Sequence, residues 1–455
     1  MIILADKKAN YGLFTTIAMI VGIVIGSGIF FKSNDILIFT GGNVALGVLV
    51  FCIGATSIIF GSLTLTELSM RTEKSGGVIG YYEDFISKKV ACAFGWFQDF
   101  IYFPSFNAVI TWVCGIYICS LFGINPKLEN HVIVGLLVYL VISFFNIISV
   151  KFGSYFQNIS TVIKLVPLIG IALAGFFLGD VHPAIPEGFN VITKSDVGLG
   201  FIAALTPAAF AYDGWIISTS ISGDVKNPER TMPIALTVGP IIILVSYIVY
   251  FLGLNRLLGP EYIMSVGNYS ISAAGELIFG PLGDKIMLIF VIISVLGVIN
   301  GVTMGMIRLP QALASKNMIP CSDKIKKINP KYDLSLSSCV ISVVSCIFWI
   351  FINYITQKNH LIHNGDVCGV AIVFSYVCYI VLYFKVMLMR KRNIVKSNFK
   401  GIVCPILAIV GALIIFVGGV VSDPSYVLTF LLICILFCLI GYFYYQKEGD
   451  NVNGN

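Results

Sequence analysis

Two short runs of residues interrupt segments that are otherwise apolar enough to lie in a lipid bilayer. The first run, residues 22–30, contains Gly26-Ser27-Gly28. Glycine and serine inside hydrocarbon leave backbone N–H groups without partners, which is costly unless protein, water or a ligand supplies them. A helix broken at mid-membrane also presents the positive end of its dipole there. The first run therefore predicts a cavity in which backbone amides bind an anionic group such as a carboxylate.

The second run, residues 206–215, places a proline, Asp213 and a glycine in the middle of another apolar segment. An ionisable residue at membrane depth is typical of a functional site. A carboxylate that caps the freed amides of a broken helix explains Asp213 equally well, and Phe210 either packs in the core or covers a bound ligand. The spacing of Gly22 and Gly26 alone is also typical of helix packing. Two interruptions at corresponding places, however, favour a substrate site.

A third chemical signal is Lys164, about ten residues into an apolar segment and so roughly 15 Å deep. An ammonium at that depth costs about 2.5 to 3.5 kcal/mol. Snorkelling is the alternative, but from there the side chain reaches the interface only partly. We therefore predict that Lys164 is a fixed cation that takes the place of a coupling sodium ion and links the first and eighth spans. Tyr247 and Ser294 are less specific polar residues inside apolar segments.

The elements that must position these residues are membrane-spanning helices. The 455 residues are 57% hydrophobic and 11% charged, with a mean hydropathy of +0.93, which excludes a soluble globular fold. A spanning helix needs about 20 apolar residues, and this criterion predicts an all-α integral membrane protein with twelve transmembrane helices. The predicted spans are residues 12–38, 43–69, 90–122, 131–150, 154–179, 198–222, 233–256, 284–314, 335–356, 367–389, 403–421 and 426–445.

The charged, cysteine and histidine residues narrow the class further. Most of the 29 Lys and Arg residues fall in segments on the side of the N-terminus, which predicts cytoplasmic termini in a plasma membrane. The same bias explains the net charge of +6 without a nucleic acid partner. The cysteines lie mostly within apolar segments without a CxxC pair, and the histidines lie at segment ends or in loops. This pattern is typical of core residues, so we predict no metal site and no cofactor.

The two interruptions also indicate how the chain is organised. They fall in the first and sixth predicted spans, at the same place in two sets of five. Because five is odd, the second set has the opposite orientation in the membrane. Paired interruptions in inverted halves indicate a transporter. The predicted units are residues 1–179, residues 180–389, and residues 390–455 with two accessory spans and a cytoplasmic tail.

The residues around the interruptions resemble those of a known superfamily. Residues 25–30 (Ile-Gly-Ser-Gly-Ile-Phe), 210–215 (Phe-Ala-Tyr-Asp-Gly-Trp) and 226–230 (Lys-Asn-Pro-Glu-Arg) are similar to motifs of the amino acid, polyamine and organocation (APC) transporters. More narrowly, the chain resembles the L-type amino acid transporter (LAT) branch, which includes bacterial serine/threonine and alanine/serine/cysteine exchangers. The resemblance covers most of the chain. It implies a LeuT-type fold, with a 5+5 inverted repeat and discontinuous helices 1 and 6.

The resemblance also implies roles for particular residues. The substrate carboxylate would meet backbone amides at the first interruption, and the α-amino group would meet backbone carbonyls at the second. Lys164 matches a lysine that replaces sodium in this branch. Its implied partners come from Gly12 or Leu13 and from a hydroxyl such as Ser294. Tyr247 resembles a seventh-span tyrosine near the site. The implied substrate-binding residues are Ile25, Gly26, Ser27, Gly28, Phe210, Ala211, Tyr212 and Asp213.

The chain departs from the branch in two loops. Residues 222–224 read Ser-Gly-Asp where relatives often carry a pair of glutamates. The outer loop at residues 122–130 contains no cysteine, so no disulfide-linked subunit is expected.

The predicted function is sodium-independent transport of neutral L-amino acids by exchange through alternating access. A neutral side chain is favoured because apolar residues such as Ile25 and Trp215 flank the interruptions and Lys164 is the one base nearby. Alternatives are a proton-coupled permease, or a basic amino acid or polyamine permease in which Asp213 meets a substrate amine. A membrane amino acid sensor is an alternative of another class. An enzyme is not expected, because the spans contain no nucleophile with a base and no metal-ligand set.

Overall fold

A computed structural model describes residues 12–72, 77–216, 225–332, 334–362 and 366–453. These residues form twenty α-helices, and an isolated β-bridge joins Asn329 and Leu334. The helices are α1 Leu13–Val24, α2 Ser27–Phe39, α3 Val44–Ser69, α4 Val78–Phe85, α5 Lys88–Phe97, α6 Phe103–Phe122, α7 Leu128–Ile148, α8 Val150–Ile163, α9 Leu165–Phe177, α10 Leu205–Ala211, α11 Pro228–Leu258, α12 Pro260–Val266, α13 Ser270–Phe279, α14 Gly283–Met306, α15 Leu309–Ala314, α16 Ser322–Ile325, α17 Leu336–Lys358, α18 Gly369–Lys391, α19 Cys404–Ser422 and α20 Pro424–Asn453.

Ten helical stretches in the described ranges are long and apolar enough to cross a membrane, judged by length and composition. They correspond to the second to fifth and the seventh to twelfth predicted spans, and they confirm an all-α membrane protein. The first and sixth predicted spans do not qualify because each is divided into shorter pieces. The total of twelve spans therefore stays a prediction, as do the boundaries of the three predicted units.

The outer helices show why the sequence is so apolar. On α7 the exposed side chains include Ile133, Leu137, Leu140, Phe144 and Ile148. Their spacing of three to four residues places them on one stripe of the helix. In water such a stripe would be covered by other protein, whereas in a bilayer lipid covers it.

Both predicted interruptions are present. In the first span, α1 ends at Val24 and α2 begins at Ser27, with Gly26 at φ −153° and ψ −142° between them. In the sixth span, a 3₁₀ helix at Gly198–Ala204 leads into α10, which ends at Ala211. A turn at residues 212–214 follows, and its Gly214 has a φ of +95°, which favours glycine. Residues 217–224, which hold the end of this predicted span and the Ser-Gly-Asp run, lie outside the described ranges.

Two further spans are irregular at the depth of these breaks. Lys164 occupies a turn between α8 and α9, so the regular helix of the fifth span is interrupted at its charged residue. The third span contains a π-helical segment at Gln98–Tyr102 between α5 and α6. A π segment adds a residue to one helical turn and redirects the side chains that follow, often at functional sites. α1 packs on α8 and α11, and α2 packs on α10, which brings the two breaks and the turn at Lys164 together.

Candidate functional site

The two breaks contact each other directly. A Cβ atom on Gly28 would lie 2.6 Å from the Cα atom of Ala211. Glycine is therefore required where the start of α2 meets the end of α10, and the contact is backbone to backbone. A Cβ atom on Gly26 would instead overlap the side chain of Val298 on α14. The first break is thus enclosed by α10 on one side and by α14 on another.

Tyr247 on α11 lies between the two breaks. Its hydroxyl oxygen is 2.7 Å from the carbonyl oxygen of Ala211 and 3.1 Å from that of Val24. A tyrosine hydroxyl has one proton, so it donates to one of these carbonyls at a time. The side chain is fully buried. Tyr247 is therefore the polar contact shared by the ends of α1 and α10, where the sequence predicted it to lie near the site.

Lys164 contacts the first broken helix, but at a different residue from the one expected. Its Nζ atom donates a hydrogen bond to the carbonyl oxygen of Gly22, so the expected partners Gly12 and Leu13 are wrong. These residues are about ten positions before Gly22, roughly 15 Å along the helix. The turn at Lys164 faces the other end of α1, and a Cβ atom on Gly22 would lie 2.5 Å from side-chain atoms of Thr161. Gly22 thus allows α8 to approach closely.

The predicted contact between Lys164 and Ser294 is not formed in this structure. Ser294 is fully buried on α14, and its hydroxyl has no hydrogen-bond partner within the described ranges. Lys164 does approach α14, because its Nζ atom lies 3.9 Å from the position that a Cβ atom on Gly297 would take. The roles of Lys164, Tyr247 and Ser294 in coupling stay predictions.

The second break is held by its own side chains. The Tyr212 hydroxyl donates to the carbonyl oxygen of Phe51 on α3 at 3.1 Å. The carboxylate of Asp213 accepts a hydrogen bond from the hydroxyl of Tyr102 at 2.5 Å. The Asp213 N–H donates to the carbonyl oxygen of Phe210 at 3.1 Å. The sequence did not identify Tyr102, because no spacing rule relates a residue of the third span to residue 213.

A buried ion cluster adjoins the second break, and the sequence did not identify it either. The Nζ atom of Lys32 on α2 lies 2.7 Å from a carboxylate oxygen of Asp366 and 3.2 Å from one of Asp35. It also lies 5.2 Å from the ring centre of Phe210. Lys32 and Asp366 are each only 4% exposed. The available signal was a lysine six residues after Gly26, within the predicted first span.

A cavity of about 40 Å³ borders this cluster and is lined by Lys32, Thr206, Phe210 and Asp366 among others. Because a water molecule needs about 10 to 15 Å³ of such volume, the cavity has room for about three or four waters and not for an amino acid. Across the described ranges, no group of three or more His, Cys, Asp or Glu residues is placed to hold a metal ion.

This arrangement of two broken helices with a buried lysine agrees with comparisons to known proteins. The family model described as Amino acid permease matches residues 11–440. The chain belongs to the amino acid permease family. This family is part of the APC superfamily, so the resemblance seen in the sequence is confirmed.

Individual relatives extend over most of this permease. It is 28% identical over 424 residues to the Serine/threonine exchanger SteT of Bacillus subtilis (strain 168), covering 91% of this chain and 92% of that one. It is 25% identical over 450 residues to the b(0,+)-type amino acid transporter 1 of Mus musculus, covering 96% and 87%. It is 25% identical over 373 residues to the Large neutral amino acids transporter small subunit 2 of Homo sapiens, covering 80% and 69%. These names agree with transport of amino acids rather than catalysis.

Proposed function

We propose that this permease carries neutral L-amino acids across the plasma membrane by sodium-independent exchange. The observation that carries the proposal is the hydrogen bond from Lys164 to the carbonyl oxygen of Gly22, beside the first break. Carbonyl oxygens at a broken membrane helix are typical ligands of a coupling sodium ion. The fixed ammonium of Lys164 supplies a positive charge and a hydrogen bond to such a carbonyl. A sodium ion is therefore not needed at this position.

The backbone at the two breaks supplies partners for the α-carboxylate and the α-ammonium, the two groups that all L-amino acids share. The N-terminus of α2, at Gly26, Ser27 and Gly28, offers free amides and a positive dipole end to the substrate carboxylate. The carbonyl of Ala211 accepts a hydrogen bond from the Tyr247 hydroxyl. A carbonyl oxygen has two lone pairs, so we propose that it also accepts from the substrate ammonium, together with the carbonyl of Phe210. Ile25, Tyr212 and Asp213 complete the set of proposed binding residues.

A neutral substrate side chain agrees with the charges around the breaks. Lys32 is matched by Asp366 and Asp35, and Asp213 is engaged by a tyrosine hydroxyl. A charged substrate side chain would need a group of opposite charge, and in these contacts each such group is already engaged by another protein group. The relatives named as a serine/threonine exchanger and a large neutral amino acids transporter also favour this class of substrate.

Transport requires the two breaks to separate, because Gly28 and Ala211 are in direct contact in this conformation. We propose alternating access in which spans 1, 2, 6 and 7 rock against the others. Exchange follows if the empty carrier reorients slowly compared with the loaded one. The relative named as an exchanger supports this cycle.

The proposal includes the orientation of the protein in the membrane and its subunit composition. Most Lys and Arg residues lie on the side of both termini, so we place the termini in the cytoplasm. One relative is named as a small subunit. The loop at residues 122–130 of this chain has no cysteine, so we propose transport without a disulfide-linked partner.

The proposal is tested with purified protein in liposomes and labelled L-serine, without sodium throughout. One set of vesicles contains unlabelled L-serine, a second contains buffer, and protein-free vesicles give the background. We expect uptake only into preloaded vesicles. Uptake that requires sodium overturns sodium independence, and equal uptake into buffer-filled vesicles shows a uniporter or a proton-coupled permease instead. Binding without flux in either set shows a sensor.

The alternative substrate class has its own support. Asp213 is a buried carboxylate at the second break, as a carrier of basic amino acids or polyamines would require. Competition for L-serine exchange by lysine or putrescine distinguishes the two classes. Strong competition favours the alternative, whereas competition restricted to neutral amino acids supports the proposal.

A further inference from the structure

The hydrogen bond between Tyr102 and Asp213 has a consequence for substrate charge. We infer that the Tyr102 hydroxyl makes this carrier prefer neutral over cationic amino acids, because it occupies the carboxylate that would otherwise bind a side-chain ammonium. The inference rests on the proposed function and assigns Tyr102 as a specificity-determining residue. It is a positioning residue for Asp213, since its hydroxyl bonds to that side chain and not to a substrate.

The third span holds the Tyr102 side chain in one orientation. The π segment at Gln98–Tyr102 ends with this residue, and the side chain is fully buried. Its ring packs against Phe103 at 5.3 Å, Phe97 at 6.1 Å and Phe106 at 6.2 Å between ring centres. Three aromatic rings packed around a buried tyrosine restrict its rotamers. They support the orientation in which the hydroxyl bonds to Asp213.

The same aromatic group connects Tyr102 to the predicted substrate position. Phe106 lies 5.3 Å from the ring centre of Phe210. Phe210 and Asp213 belong to one break, and the contact of Gly28 with Ala211 joins that break to the other. A substrate bound by the two breaks would lie next to both Phe210 and Asp213. The side chain of such a substrate would thus meet the carboxylate that Tyr102 engages.

The nearby charges differ in the kind of partner they have. Lys32 is paired with two carboxylates, and Lys164 is bonded to a carbonyl. Asp213 has a neutral donor. A carboxylate in a region of low dielectric attracts an ammonium strongly, and a neutral hydroxyl removes an acceptor position without cancelling that charge. A lysine or ornithine side chain would have to displace the hydroxyl and leave it buried without a partner, which is unfavourable.

Asp99 is a second buried carboxylate in the same π segment, three residues before Tyr102. Neither of its oxygens has a hydrogen-bond partner within the described part of the chain. An ammonium attracted to the third span could therefore contact Asp99 instead of Asp213. The experiment must distinguish these two carboxylates, and a change at Asp213 does so.

The test compares exchange of labelled L-lysine and labelled L-serine in preloaded liposomes, for wild type and Tyr102→Phe. We expect the lysine-to-serine ratio to rise at least about tenfold in Tyr102→Phe, the change that corresponds to about one hydrogen bond to a charged group. The double variant Tyr102→Phe with Asp213→Asn should return the ratio to the wild-type value or below. Tyr139→Phe is the matched control. Tyr139 is equally buried, on α7, and lies outside the two broken spans.

Three results would overturn the inference. The first is an unchanged lysine-to-serine ratio in Tyr102→Phe. The second is a rise that persists in the double variant, which would show that the rise depends on Asp99 or another group. The third is a wild type that carries lysine as fast as serine. Absence of serine exchange by the wild type is a failure of the proposed function instead, and it is measured first. If Tyr102→Phe folds without flux, thermal stabilisation by lysine against serine replaces uptake. Equal stabilisation ratios in wild type and variant would then refute the role of Tyr102.

Discussion

The two breaks are built in opposite ways. The first, between Val24 and Ser27, has only Ile25 and Gly26 between its helices, and its polar partners come from other spans. Lys164 bonds to α1 just before this break. The second break carries Tyr212 and Asp213, which themselves bond to the second and third spans.

This difference separates two tasks of one binding site. A break made of glycine and free backbone depends on the absence of side chains, so it suits the carboxylate that every amino acid has. A break made of aromatic and acidic side chains depends on their partners, so substitutions there change which substrate is preferred. We therefore expect the first break to tolerate no added atoms and the second to control selectivity.

The largest effect is expected where the two breaks touch. Gly28→Ala places a Cβ atom 2.6 Å from the Cα atom of Ala211, and exchange should fall to background. Because the clash is with backbone, Ala211→Gly should not rescue it. Gly170→Ala is the control, since a Cβ atom there has no neighbour within 4 Å. Substantial exchange by Gly28→Ala would show that the transport cycle does not need this close contact between the breaks.

A smaller effect is expected at the other glycine of the first break. Gly26→Ala overlaps the side chain of Val298 rather than backbone, so exchange should fall strongly in the single variant. The double variant with Val298→Ala should recover part of it, because the overlapping atoms are removed. Exchange and thermal stability are measured for both variants. Failure of Val298→Ala to rescue would place the constraint at Gly26 in its backbone conformation.

The next effect is expected at Lys164, the cation of the fifth span that bonds to α1 just before the first break. Lys164→Ala should fold and lose about 5- to 150-fold in exchange rate, because an unsatisfied buried carbonyl costs about 1 to 3 kcal/mol. Size-exclusion chromatography checks the fold, and labelled serine uptake gives the rate. The exposed Lys285→Ala on α14 is the control. Wild-type uptake by Lys164→Ala would exclude a role for this residue in transport.

The smallest effect is expected at the residue shared by both breaks. Tyr247→Phe removes one hydroxyl between Val24 and Ala211, which should lower exchange roughly three- to tenfold, since a net hydrogen bond contributes about 0.5 to 1.5 kcal/mol. Tyr250→Phe is matched to it, three residues later on α11, equally buried and with no hydrogen-bond partner for its hydroxyl in the described residues. Equal losses in both variants would indicate a packing effect and no specific contact.

Several parts of the fold and site were predictable because their physical causes are local. Glycine and ionisable residues clustered in an apolar run weaken a membrane helix locally, so residues 25–28 and 212–214 could be located without neighbours. Lys164 was recognisable because a charge in an apolar run is costly in any membrane fold. Its partner was not, and the expectation of Gly12 or Leu13 was wrong, since which turn of α1 faces α8 depends on how the helices cross.

The sequence by itself determined the membrane class, the ten long apolar helices, the two interrupted ones and the family. Hydrophobicity, helix breaking and motif residues are properties of short stretches of chain. The tertiary structure alone decided that Gly28 meets Ala211, that Lys32 pairs with Asp366, and that Tyr102 engages Asp213. These contacts join residues more than a hundred positions apart. They depend on the rotation and depth of each helix in the bundle. Packing between spans sets both, so a local sequence pattern does not predict them.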